Sequence, residues 1–170
     1  MATTAQGSIN LAVAMDLVKG LDIGEVTYPV KTGANYSFTN GTGANQANMV
    51  FVDTRTLAAS AAEDLDLSGT ALTDAFGTAI AFTKIKAIIV KAAAANTNDV
   101  QVGGDASAGI ASIFGNVADF ISVKPGGMFC VVAPDATGYA LTATTADLLQ
   151  ITNSSSGTGV TYDIIIVGTV

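Results

Sequence analysis

The chain has 170 residues, a formal net charge of −7, no histidine, no tryptophan and one cysteine. Without histidine there can be no Ser-His-Asp or Cys-His catalytic site and no zinc site of the usual His/Cys kind, and seven Lys plus Arg against fourteen acids offer no basic cluster for nucleic-acid phosphates. Charged residues are 12% of the chain against 49% hydrophobic, so the surface must be made from Thr, Ser, Asn, Gly and Ala, a composition best tolerated where other subunits cover it.

The leader Met1-Ala2-Thr3-Thr4-Ala5-Gln6 lacks the positive region and apolar run of a secretory signal. Ile9, Leu11, Val13, Met15 and Leu17 recur at every second position with Asn10, Ala12, Ala14 and Asp16 between them, the period of a half-buried strand. Ahead of Gly20 and Gly24, this segment reads equally as an edge strand or as an arm that pairs with a neighbouring subunit. Strands are predicted next over 25–30, 36–39 and 49–53. Thr32-Gly33-Ala34-Asn35 and its repeat Thr42-Gly43-Ala44-Asn45 read as two similar turns bracketing one strand, with Asn40-Gly41 as a tight-turn signal.

One helical turn is expected over 57–62, then a strand with one wet face where Leu65 and Leu67 alternate with Asp64, Asp66 and Ser68. A short helical turn over 72–77 leads into a central strand over 82–91, whose Lys84 and Lys86 are expected on a solvated face opposite Ile85, Ala87 and Ile89. Residues 92–98 break the pattern. Strands are then expected over 100–102, 120–124, 128–133, 139–143, 148–152 and 160–167, and Pro125-Gly126-Gly127 is expected to be a type II turn joining a paired hairpin. The last strand should be buried on both faces, Asp163 apart. This cadence means a sandwich or barrel, and the longest bulky apolar run, Ile164-Ile165-Ile166-Val167, is too short to span a bilayer.

Few residues suggest chemistry. Cys130, in Met128-Phe129-Cys130-Val131-Val132, reads as a buried structural thiol that behaves as a small hydrophobe. Gly103-Gly104 and Gly126-Gly127 lack the helix start of a phosphate loop. Asp64 and Asp66 share a strand face about 6.5–7 Å apart by strand rise. That spacing is near those of glycoside hydrolysis, but such pairs normally face each other across a cleft. Asn96, Asn98, Asp99 and Asp105 offer hard oxygens of the kind calcium prefers, without EF-hand spacing. Turn chemistry explains them as well. Sequons at Asn35, Asn40 and Asn153 would matter only in a eukaryotic secretory setting. No catalytic, cofactor or metal residue is assigned.

From residue 48 onward the chain resembles small virion structural proteins of tailed bacteriophages. The resemblance lies in Asp53-Thr54-Arg55-Thr56-Leu57, Leu65-Asp66-Leu67-Ser68-Gly69, Phe82-Thr83-Lys84-Ile85-Lys86-Ala87-Ile88, Val123-Lys124-Pro125-Gly126-Gly127, Val132-Ala133-Pro134-Asp135-Ala136-Thr137-Gly138-Tyr139 and Thr161-Tyr162-Asp163-Ile164-Ile165-Ile166-Val167-Gly168. It implies a β-sandwich that decorates or cements a capsid, or forms a head fibre or tail appendage, and it carries no catalytic residues. The expectation is therefore an all-β, antiparallel, jelly-roll-like sandwich over 25–170 with an N-terminal arm or edge strand over 1–24. The expected protein is a non-enzymatic virion component assembled in the host cytoplasm, a homo-oligomer, with a trimer favoured, docked on the major capsid protein or on other virion proteins. Nucleic acid and membrane are not expected partners, and a carbohydrate-binding sandwich is the alternative from another class.

Overall fold

The computed structural model describes residues 4–170; residues 1–3, where the expected arm and leader begin, lie outside it. Among the described residues the chain runs β1 (Gly7–Leu21), β2 (Gly24–Asn40), β3 (Gln46–Ala47), β4 (Met49–Leu57), β5 (Ala62–Asp66), β6 (Leu72–Thr73), β7 (Ala79–Ile80), β8 (Lys84–Ala92), β9 (Val100–Gly103), α1 (Ala111–Phe114), β10 (Phe120–Val123), β11 (Met128–Val132), β12 (Tyr139–Ala140), β13 (Leu148–Asn153) and β14 (Val160–Thr169). The fold is all-β and sandwich-like, as the strand-turn cadence requires.

The body has two antiparallel sheets. One is ordered β11-β8-β14-β4 with β12 also on β8, the other β10-β9-β13-β5, and β6 and β7 form a small hairpin beside them. Alternation supplies the core: Phe51, Ile88, Val90, Tyr162, Ile164 and Ile166 from the first sheet meet Leu65, Val100, Val102, Val123, Leu149 and Ile151 from the second. Leu67, Leu72, Ile80, Phe82 and Ile110 complete the same cluster. β5 has the expected wet face, with Leu65 and Leu67 buried and Asp64 exposed.

Several local expectations are overruled by pairing. Residues 24–40 form one continuous strand, so Thr32-Gly33-Ala34-Asn35 is extended in the ladder with β1 and only Thr42-Gly43-Ala44-Asn45 lies in a loop. The break placed at residue 24 falls at the turn between β1 and β2, so the element that begins as an arm continues to Asn40. No helix forms over 57–62 or 72–77; the first is the end of β4, a turn and the start of β5, and the second is β6 and a turn held by Asp74. The Asp74 carboxylate accepts hydrogen bonds from the Phe76 and Thr78 amides at 2.9 and 2.8 Å, a local closure that wins over a short helix.

Gly126 has φ +74° and the Gly127 amide donates to the Lys124 carbonyl at 2.7 Å, the turn that Pro125-Gly126 demands. It is not a hairpin turn, however. β10 pairs with β9 in one sheet and β11 with β8 in the other, so the chain crosses between layers here. The C-terminal strand is buried on one face, whereas Ile165 and Val167 on its other face are half-buried. That outer face receives no covering layer from the body.

Lys86 corrects the solvated-face expectation most sharply, being fully buried. The ladder between β8 and β14 shifts register there: Val167 faces Ala87 while Gly168 faces Ile85, which leaves Lys86 as the extra residue of a β-bulge. The bulge resets the alternation so that Ile85 and Ile88 both reach the core. The Lys86 ammonium donates to the Asp135 carbonyl. Burial pushes its pKa down, opposed by the Asp135 carboxylate. Glycine is required opposite, because a Cβ at Gly168 would lie 2.5 Å from the Lys84 carbonyl oxygen and 2.7 Å from the Phe82 ring.

Candidate interaction surface

β1 and β2 pair from Gly7↔Phe38 to Leu21↔Gly24 without a register break and turn through Asp22-Ile23. Directly opposed residues in an antiparallel pair share a face. One face therefore carries Ile9, Leu11, Val13, Met15, Leu17, Lys19 and Leu21 with Tyr36, Ala34, Thr32, Val30, Tyr28 and Val26, and the other carries Ser8, Asn10, Asp16, Glu25, Thr27, Lys31, Asn35 and Ser37 with Val18, Pro29 and small residues. The first is apolar apart from Thr32 and Lys19. The second is mainly polar, with Val18 exposed on it.

The two faces differ in how fully they are satisfied. On the polar face Asn35 donates to Asn10, Asn10 to the Ser8 hydroxyl at 3.0 Å, and the Ser37 hydroxyl to Asn35 at 3.0 Å, which ties the ribbon's base across its strands. On the apolar face Met15 is 68% exposed, Leu17 70% and Tyr28 67%, and Ile23 at the tip is 96% exposed. Only the root is anchored. Phe38 is buried, Ala47 of β3 lies beside it, and β3 continues alongside the end of β2 through Thr39↔Gln46 and Asn40↔Ala47. Beyond the root the ribbon makes no extensive contact with the body among the described residues. On the body, a cleft of about 370 Å³ is lined in part by Ala5, Gln6, Met49, Val50, Val52 and the exposed Phe76.

A two-stranded ribbon that packs on nothing is marginal in water, and contiguous apolar patches of this kind mark interaction sites. Both long edges of the ribbon also lack a strand neighbour along most of their length. Pro29, opposite Asp16, stands in the ladder where its missing N–H can only fall on the open side of β2. It blunts that edge against strand addition, while the β1 edge has no proline.

The other residues considered for chemistry are dispersed. Cys130 is exposed, not buried, because β11 is an edge strand whose even positions face outward; partial desolvation still pushes its thiol pKa up. Asp64 accepts from the Gln150 amide at 2.8 Å and Asp66 from the Gly69 amide at 2.7 Å, so the two carboxylates serve separate structural bonds. Asn96 bridges to the Thr161 backbone, Asn98 donates to Asn153, Ser155 and Thr158, and Asp99 pairs with Lys124 at 2.6 Å. Asp105 accepts from the Ala108 and Ser107 amides, which hold its carboxyl below the usual range. The four side chains considered for calcium thus serve separate loop contacts. Of the sequon residues, Asn153 is buried and donates to the Ala58 and Thr158 carbonyls.

One polar cluster went unread in the sequence. The buried Tyr162 hydroxyl donates to Glu63 Oε1 at 2.6 Å, Arg55 pairs with the other Glu63 oxygen, and Arg55 Nε lies 3.0 Å from Asp53. Burial first, and then the Glu63 hydrogen bond, push the Tyr162 pKa well above the ordinary phenol value. This clasp joins β4 and β14 in one sheet to β5 in the other, and its geometry is that of a brace. The alternation of Val26, Tyr28, Val30, Thr32, Ala34 and Tyr36 was the legible signal for the other omission, the second half of the ribbon. No protein-family model, curated protein or solved structure gives a significant match to this chain, so its function is argued from its own residues.

Proposed function

We propose that this chain is a non-enzymatic contact protein of an assembled particle, and specifically a homo-oligomeric decoration or cement protein on the capsid of a tailed bacteriophage. The carrying observation is the ribbon: a strongly sided β-hairpin, rooted in a packed sandwich, that presents bare Met15, Leu17, Tyr28 and Ile23 to solvent. A surface of that kind is stable over time when something covers it. The strand order supports the jelly-roll reading of the body, since β4-β14-β8-β11, with β12 added on β8, and β5-β13-β9-β10 give two antiparallel sheets with chain crossings between them. Jelly rolls serve in capsids and in lectins. The sequence resemblance favours the first, and the absence of tryptophan weighs against the second, because sugar sites commonly use aromatic platforms.

Quantitative mass spectrometry of gradient-purified particles tests the reading. The expected result is this chain in fixed stoichiometry to the major capsid protein, with immunogold label over the head. Label confined to the tail would replace decoration by an appendage role. Recovery only from host cytosol would overturn the proposal.

A further inference from the structure

We infer that the apolar face of the β1-β2 ribbon is covered by the same face of a second copy of this chain, the two ribbons lying antiparallel about a two-fold axis. The inference rests on the contact-protein reading above, names the partner of its surface, and puts a pair in place of the trimer expected from the sequence. Three observations support it.

The first is size. Fifteen paired residues at about 3.3 Å each make a ribbon roughly 50 Å long, and two strands about 4.8 Å apart with their side chains make it roughly 10 Å wide. One face then offers about 500 Å², and two such faces together about 1,000 Å², the threshold for a specific interface.

The second is charge. Residues 7–40 contain Asp16, Asp22 and Glu25 against Lys19 and Lys31, a net −1, which leaves −6 of the chain's −7 on the rest of the chain. The apolar face itself carries one charge, Lys19, so it has little with which to recognise a charged partner. Packed in parallel, two copies would bring their acidic bodies side by side. Packed antiparallel, they hold the bodies at opposite ends of the ribbon, several times the Debye length of about 8 Å at physiological salt.

The third is fit. With the axis at Ala14, midway along β1, Leu17 of one copy falls over Leu11 of the other and Met15 over Val13. Lys19 falls near Ile9 and Tyr36, where its ammonium meets an aromatic face. The same two-fold places the polar ladder of Ser8, Asn10, Asn35 and Ser37 outward in both copies.

Light scattering coupled to size exclusion, on the full chain, tests this. The expected mass is two copies of 17.0 kDa. Met15→Asp/Leu17→Asp should halve that mass while leaving the thermal transition of the body in place, and Thr27→Asp, on the polar face, should not change it. A second readout guards against a misfolded variant: Val13→Cys in a Cys130→Ser background should give a covalent dimer with a short bis-maleimide, whereas Thr27→Cys in that background should not. A wild-type mass of one copy, or of three or more, overturns the two-fold pairing, as does a double variant that keeps the wild-type mass. A monomeric chain that still loads onto particles would sink this inference alone, while a chain missing from particles would sink the contact reading.

Discussion

Tyr162→Phe isolates the clasp between the sheets. The substitution keeps the buried ring and removes one hydroxyl, which donates at 2.6 Å to a Glu63 oxygen. A hydrogen bond to a charged group contributes about 1.5–3 kcal/mol. The Glu63 side chain is 22% exposed and keeps its bond to Arg55, so water can partly replace the lost donor and the lower end applies. The expected loss is thus about 1.5 kcal/mol, or roughly 3–6 °C in melting temperature for a chain of this size. Urea unfolding followed by circular dichroism measures it, with the midpoint falling and the slope unchanged. The pH dependence adds an independent check. Because the folded state holds the Tyr162 pKa above its ordinary value of 10.0, the stabilisation is full below pH 10 and is lost as pH rises beyond it towards the folded value. Wild type and variant should therefore converge in alkali. A variant as stable as wild type at neutral pH, or a gap that widens above pH 10, would refute the reasoning.

Gly168→Ala should destabilise by about 1–3 kcal/mol through overpacking at the bulge, measured by the same urea titration; an unchanged midpoint would show that the bulge relaxes freely. Asp105 is held below its ordinary pKa of 3.8 by the Ala108 amide first, so its stabilisation is present above that pH and fades as pH falls below it. Asp105→Asn should accordingly flatten the acid limb of a stability profile as pH falls below 3.8, and an identical acid limb would contradict this. Deleting residues 161–170 removes a central strand of its sheet and should yield no soluble, cooperatively melting product. Ile164→Asp should do likewise, since an unpaired buried charge costs several kcal/mol, about the whole stability margin.

The sequence made the strands of the body readable wherever alternation was clean, as in Leu65 and Leu67 against Asp64 and Asp66. It was misread where a long-range partner decides the local state. Thr32-Gly33-Ala34-Asn35 has every mark of a turn, yet Val13, Ala12, Leu11 and Asn10 pair with it and hold it extended. Lys86 was misplaced for a related reason: one inserted residue inverts the alternation, and only the facing strand reveals the bulge. Cys130 shows the limit of composition, because an edge strand with apolar residues on both sides does not declare which side is covered. The arm suspected from Ile9, Leu11, Val13, Met15 and Leu17 has its hairpin partner within the same chain, and the apolar face left over is where a neighbouring subunit is proposed to lie.

Amide hydrogen exchange on the intact chain, diluted until light scattering gives the mass of one copy and then in its assembly, tests the central claim most directly. If the ribbon is a contact element and the sandwich an independent body, residues 9–36 should exchange rapidly in the dilute chain and become protected in the assembly, while β8 and β14 stay equally protected in both. A ribbon as protected as the body in the dilute chain, or a change in protection that falls on the body and spares the ribbon, would contradict the account.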